Sequence, residues 1–393
     1  MKVDVADFAK RFATRSTILG MIGLLAVFFL YTYNLDGVQP NMSSREVTSI
    51  GRSVTREDIQ ANPLYLPHRA GSYVLNRLGI QKVEAYRAIS AFFVVAVIFL
   101  FYRLMRKWHS PKIAAVSTAL LASSSWLLAV GRSATPTSLF LIWFVLIEGL
   151  FWIRHSSRRR LAIYLATLVT LVALYVPGTI YLLIIFAILY GKRASTLFRK
   201  LALKHQLILI TFTAIFVGLL SYALFKNHLI KEWLLIPDPL TPKIFMQNLI
   251  ALPRALFYAA PYRPEFWIAG LPLLDLFSGT MLLLGLYAYR YYLRMKRTPL
   301  VWICLLTITL IVGFAGLEVA IMLVPFLYIV IANGITFMLG TWFEIFPKNP
   351  IAKNLGVVIM AIAIGFSMFY HFERYFVAWP KSPATKELYS IKQ

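Results

Sequence analysis

Residues 86–107 read YRAISAFFVVAVIFLFYRLMRK: an apolar run closed by Arg103, Arg106 and Lys107. From Ala91 to Phe101 no polar side chain interrupts it, so a helix built there has no face to offer water. At 1.5 Å per residue, about 20 such residues cross the ~30 Å hydrocarbon layer of a bilayer. Working outward, similar runs fall near 16–34, 113–130, 136–153, 160–176, 178–191, 206–225, 269–289, 299–315, 318–339 and 354–371, which makes about eleven spans. The first reads as a retained span, because no small-residue cleavage site follows Tyr33. Val176-Pro177-Gly178 reads as a tight re-entry turn between two short spans, since Pro cannot continue a helix and Gly tolerates positive φ.

Composition agrees. Of 393 residues, 59% are hydrophobic and 14% charged, with a mean hydropathy of +0.70. Soluble domains carry about 25% charged residues, so a soluble enzyme, a disordered chain and a disulfide scaffold are all excluded. The lone Cys304 excludes a disulfide and a cysteine-based metal site. The net charge of +24 suggests a nucleic-acid binder until its placement is read. The clusters Lys2/Lys10/Arg11/Arg15, Arg103/Arg106/Lys107/Lys112, Arg154/Arg158/Arg159/Arg160, Lys192/Arg193/Arg199/Lys200/Lys204, Arg290/Arg294/Lys296/Arg297 and Lys348/Lys353 occupy alternate connections. Positive charge concentrated in short connections marks the cytoplasmic side. The expectation is an all-α polytopic membrane protein of the cell membrane, with a cytoplasmic N-terminus and an external C-terminus. The excess charge then serves topology and contact with anionic lipids. It does not serve nucleic acid. Asp4, Asp7 and Glu344 are the acidic residues of the inner side, and Glu148, inside a span, is expected to pair with Arg154 or with another helix.

The chain reads as one integral membrane domain over 1–393, with longer external segments at 35–85, 226–268 and 372–393. Function sits preferentially on loops held by a rigid scaffold, which places the working face outside. The first segment holds two short helices, near 43–58 and 68–78. The second holds an amphipathic stretch at 242–258, suited to lying in the interface plane. Phosphate-loop and dinucleotide fingerprints are absent, and the six histidines never pair at helical spacing, so neither a nucleotide cofactor nor a histidine-based metal site is expected.

Two residues stand out. Glu46 follows Ser43 at capping-box spacing, so it either satisfies helix-end amides or acts as a general base, and one residue can do both. Arg132, isolated outside between apolar runs, either clamps a phosphate, or snorkels to headgroups, or pairs with an acidic loop residue. Asp36, His68, Arg69, Arg263, Glu265, Asp275 and Glu318 occupy external segments or span ends. For Asp275 and Glu318, solvation near the interface is explanation enough. Phe372, Tyr375, Phe376 and Trp379 read as interfacial belt, with a groove for a prenyl chain as the alternative.

The order of motifs resembles the membrane glycosyltransferases of the GT-C class, in particular the branch of protein O-mannosyltransferases and aminoarabinose transferases. The residues that carry it are Pro40–Ser49, Asn62-Pro63-Leu64, Tyr86-Arg87-Ala88-Ile89-Ser90, Ser123-Ser124-Ser125-Trp126-Leu127, Arg132–Thr137 and Tyr375–Pro380, densest over 30–180. The resemblance implies a helical core and an external active site under the first loop. It implies a polyprenyl-phosphate-linked sugar as donor and an external glycan, lipid or protein as acceptor. In relatives the first loop carries an Asp-Glu pair, which falls here on Arg45-Glu46, and a later Asp falls on Thr137. The resemblance therefore leaves Glu46 or Asp36 as catalytic base, with Arg132, Arg69, His68, Arg263 and Glu265 around the substrate and no metal. The alternative is a non-catalytic protein that binds or scaffolds lipid-linked sugars.

Overall fold

The computed structural model describes residues 15–38, 41–155, 159–290 and 298–389. Lys2, Asp4, Asp7, Lys10, Arg11, Pro40, Arg158, Arg294, Lys296 and Arg297 lie outside the described residues. Among those described, all regular structure is helical. In chain order the α-helices are α1 (Arg15–Thr32), α2 (Ser44–Gly51), α3 (Arg56–Ala61), α4 (Leu66–Arg77), α5 (Val83–Trp108), α6 (Pro111–Ser123), α7 (Ser125–Gly131), α8 (Ile142–His155), α9 (Arg159–Leu174) and α10 (Thr179–Arg199). There follow α11 (Leu203–Lys226), α12 (Ile230–Trp233), α13 (Pro242–Phe257), α14 (Leu276–Tyr289), α15 (Thr298–Ala315), α16 (Val324–Ile345), α17 (Pro350–Glu373), α18 (Trp379–Lys381) and α19 (Pro383–Leu388). Single 3₁₀ stretches, Pro136–Leu141 and Leu317–Leu323, lead into α8 and α16.

Among the described residues four segments are long and apolar enough to cross a membrane: Val83–Trp108, Leu203–Lys226, Leu317–Ile345 and Pro350–Lys381. A fifth is obtained if α6 and α7, bent by 62° at Ser124, count as one broken span. Their burial differs, although their compositions do not. Leu317–Ile345 is 94% buried and forms the axis, whereas Leu203–Lys226 is 22% buried and presents Leu207, Ile215, Leu219 and Phe225 outward. Such apolar exposure is stable against lipid. At the axis, α16 lies antiparallel to α14 with almost no space between backbones: a Cβ at Gly285 would sit 2.0 Å from the Val330 carbonyl oxygen, and one at Gly334 2.0 Å from that of Met281. Small residues permit this approach where no hydrophobic effect drives helices together.

Turn chemistry follows the sequence closely. Gly178 takes φ +77° and starts α10, and its N–H donates to the Trp233 carbonyl at 2.9 Å. The stretch expected as one helix over 43–58 is two, α2 and α3, because Thr55 opens a second capping box with Asp58. The helix expected at 242–258 is α13, but it does not simply float on the interface. Phe245 packs on Phe314 of α15 (4.8 Å between centroids) and Asn248 donates to the Gly313 carbonyl at 3.0 Å.

The belt reading of the C-terminal aromatics fails for two of them. Tyr375 and Trp379 are buried and stacked at 5.3 Å, the first on a π-helical turn (Arg374–Ala378) that continues α17 and the second at the start of α18. The segment then folds back: Trp379 donates to the Pro264 carbonyl at 2.7 Å, and the Tyr389 carbonyl accepts from Asn41 at 2.9 Å. Glu148 pairs across helices, at 3.2 Å from both Arg103 and Lys107 of α5; the side chain of Arg154 lies outside the described residues.

Candidate functional site

The first loop is fastened by one carboxylate. Ser43 caps α2, accepting from the Glu46 N–H at 3.2 Å, and Glu46 Oε2 accepts from the Ser43 N–H at 2.9 Å. The same carboxylate takes Arg87 Nε (2.9 Å) and the Ala134 N–H (2.8 Å) on Oε1, and Arg87 Nη2 (3.0 Å) on Oε2. Arg87 also donates to the carbonyls of Leu35 and Asn41, both at 2.8 Å. Glu46 is fully buried. It joins the first loop, the first turn of α5 and the segment after Arg132, and each of its oxygens already holds two donors. Asp36 is half-buried in the turn beside Leu35.

Arg132 is buried as well, so it does not snorkel, and among the described residues it meets no carboxylate. Its Nη1 donates to the Leu30 carbonyl at 2.7 Å, and Nη2 donates to those of Tyr33 (3.0 Å) and Asn34 (2.9 Å). Leu30 is in the last turn of α1 and the other two carbonyls follow directly after it, so the cation meets the negative end of the helix dipole. The guanidinium also lies over the rings of Phe376 (5.4 Å) and Tyr375 (5.9 Å). Arg87 and Arg132 line one cavity of about 10 Å³, which has room for one water-sized guest and none for a sugar.

A second group assembles nearer the surface, from three segments distant in sequence. Arg45 Nη1 lies 3.1 Å from Glu265 Oε2, Arg45 Nη2 lies 2.6 Å from Glu318 Oε2, and Arg263 Nε lies 3.7 Å from Glu318 Oε1. Arg45 also sits 5.2 Å over the Phe266 ring. Burial opposes the Arg45 charge, but Glu318 and Glu265 more than offset it and raise its pKa. Beside this group opens a cleft of about 320 Å³ lined by Tyr262, Arg263, Pro264, Glu265, Ala384, Glu387 and Leu388. Arg263 and Glu265 thus come together as candidates, and Arg45 joins them.

His68 and Arg69 stand apart. Arg69 donates to the Asn62 carbonyl; burial lowers its pKa, and its charged neighbours are Glu232, Arg52 and Asp58. Burial, with Arg69 adjacent, pushes His68 down to about 4, so the ring is neutral at pH 7, and neither ring nitrogen has a protein partner.

The sequence reading missed a buried brace at the α6–α7 break. His371 Nδ1 lies 3.1 Å from Ser125 Oγ and receives the Ser125 N–H at 3.4 Å, while Nε2 lies 3.2 Å from Asp275 Oδ1. Because Nδ1 accepts a backbone proton, the ring proton belongs on Nε2, donating to Asp275. Asp275 also caps α14 through the N–H groups of Phe277 and Ser278 (3.1 and 3.4 Å). Its position near the interface therefore does not mean solvation: the side chain is 8% exposed. No sequence signal linked positions 125, 275 and 371, because none is within helical reach of another.

Among the described residues no three His, Cys, Asp or Glu side chains gather as metal ligands do. Compared with known protein families and with curated proteins, the chain finds no match.

Proposed function

We propose that the chain is a membrane glycosyltransferase of the GT-C type, moving a sugar from a polyprenyl-phosphate carrier to an acceptor at the external face. Its architecture supports this reading. Among the described residues four helices, or five with the bent pair, are long and apolar enough to cross a membrane, and six shorter apolar helical stretches accompany them; we take these shorter stretches as spans too. Basic clusters on alternate connections orient them with the N-terminus inside.

The observation that carries the proposal is the half-exposed group Arg45, Arg263, Glu265 and Glu318 at the rim of the 320 Å³ cleft. Of the pair the motifs favour, Glu46 has both oxygens committed to the scaffold, and Arg132 has its Nη donors committed to main-chain carbonyls. Glu265 lines the cleft and becomes the base, held in place by Arg45. The acceptor oxygen attacks the anomeric carbon and gives its proton to Glu265. The bond from that carbon to the phosphate oxygen breaks with inversion, and Arg263 stabilises the charge left on the polyprenyl phosphate. In proteoliposomes supplied with labelled lipid-linked sugars, Glu265→Gln should lower turnover by about 10²–10⁴-fold with donor binding retained. Unchanged turnover removes Glu265 from the reaction.

One observation favours a second reading, a non-catalytic binder or scaffold for lipid-linked sugars. Arg45, a cation, stands where related sequences carry the reacting carboxylate, and it neutralises the nearest carboxylates. That reading predicts saturable binding of polyprenyl phosphate by the unmodified protein and no sugar release in the same proteoliposomes.

A further inference from the structure

The small cavity behind the first loop carries an unbalanced charge. It is lined by Leu35, Val38, Ala129 and Ser133, by Arg87 and Arg132, and by Tyr375, Trp379 and Tyr389. Arg87 is balanced by Glu46. Arg132, 4% exposed, has no carboxylate partner among the described residues; its Nη donors go to three main-chain carbonyls and its Nε–H has no protein partner. Carbonyls and aromatic faces attract a guanidinium but leave its full unit charge in place. A buried charge so placed calls for a counter-ion.

We propose that this cavity is a binding site for a single small monovalent anion of chloride size, held by the Arg132 guanidinium and flanked by Arg87 and Ser133. The volume of about 10 Å³ admits one water-sized guest and excludes a phosphate ester. The site joins α1, whose last carbonyls Arg132 caps, to the segment after α7 and to the folded-back C-terminal strap carrying Tyr375, Trp379 and Tyr389. The anion therefore fastens the strap over the first loop. It is separate from the surface cleft and independent of whether the chain transfers sugars.

The test uses the full chain in detergent with sodium gluconate replaced stepwise by sodium chloride at constant ionic strength. The temperature of half-unfolding should rise saturably, by about 3 °C. Crystals grown in sodium bromide should show an anomalous peak between Arg132 and Ser133. Because Arg132 also caps α1, its own variants risk misfolding. Ala129→Val narrows the cavity with both arginines intact, and it should abolish the chloride response. Bromide missing from the cavity, or unfolding that is indifferent to chloride in the unmodified protein, overturns the proposal and leaves an ordinary buried water.

Discussion

Replacing Glu46 by alanine should destabilise the protein by about 3–5 kcal/mol, among the largest effects of any polar substitution in the chain. The variant strands the buried Arg87 guanidinium and removes the acceptors of the Ser43 and Ala134 N–H groups. Leaving one partner of a buried pair uncompensated costs more than the pair contributes as a whole. Two comparisons separate this account from a catalytic one. Glu46→Gln keeps the shape but turns an amide N–H₂ toward donors on one side, either Arg87 Nη2 and Ser43 N–H or Arg87 Nε and Ala134 N–H, so it too should unfold early. Removing both partners, as Glu46→Leu with Arg87→Met, should recover part of the loss, giving a coupling energy in a double-mutant cycle. Thermal unfolding of the four proteins in one detergent measures it. If Glu46→Ala melts with the unmodified protein while losing sugar transfer, the carboxylate is a reacting group and the structural account of it fails.

That result bears on how far sequence reading reaches. The capping box was legible because Ser43 and Glu46 are three residues apart and helix ends need their amides satisfied. Its buried partner Arg87, 41 residues on, was visible only as part of a motif, with no role attached. The long apolar stretches were legible because the hydrocarbon thickness dictates their length; which of them forms the axis was not, since Leu203–Lys226 and Leu317–Ile345 are alike in composition and opposite in burial. The bounds of α13 were readable to within a residue from its apolar spacing, yet the spacing is blind to whether lipid or α15 covers Phe245. Tyr375 and Trp379 were misplaced for a related reason. Aromatics in an interfacial belt and aromatics under a buried guanidinium have the same local sequence, and only the fold-back of the chain tells them apart. Arg45 illustrates the converse. Its place in the first loop was plain from the sequence, but the two carboxylates it meets, 220 and 273 residues away, were not.

Gly334→Ala should damage the protein severely while Gly340→Ala, six residues further along the same helix, should leave it unharmed. At Gly334 the added methyl would fall 2.0 Å from the Met281 carbonyl oxygen, a backbone atom that no rotamer change can move aside. The only relief is to push α14 away from α16, and α16 belongs to the most buried of the long apolar segments. Overpacking a core costs about 1–3 kcal/mol where side chains can yield, so backbone against backbone should exceed 3 kcal/mol. Separation would also slacken Asp275, the N-cap of α14, and with it the brace through His371 to the α6–α7 break. At Gly340 nothing lies within 4 Å of the built Cβ, so the substitution meets no obstacle and gains helix propensity worth about 1 kcal/mol. Gly285→Ala, facing the Val330 carbonyl at 2.0 Å, should behave as Gly334→Ala does. The yield of detergent-extracted protein and its unfolding temperature report all three. Equal behaviour at 334 and 340 would mean that α14 and α16 do not approach as closely as described, and the axis of the fold would need rebuilding from that pair outward.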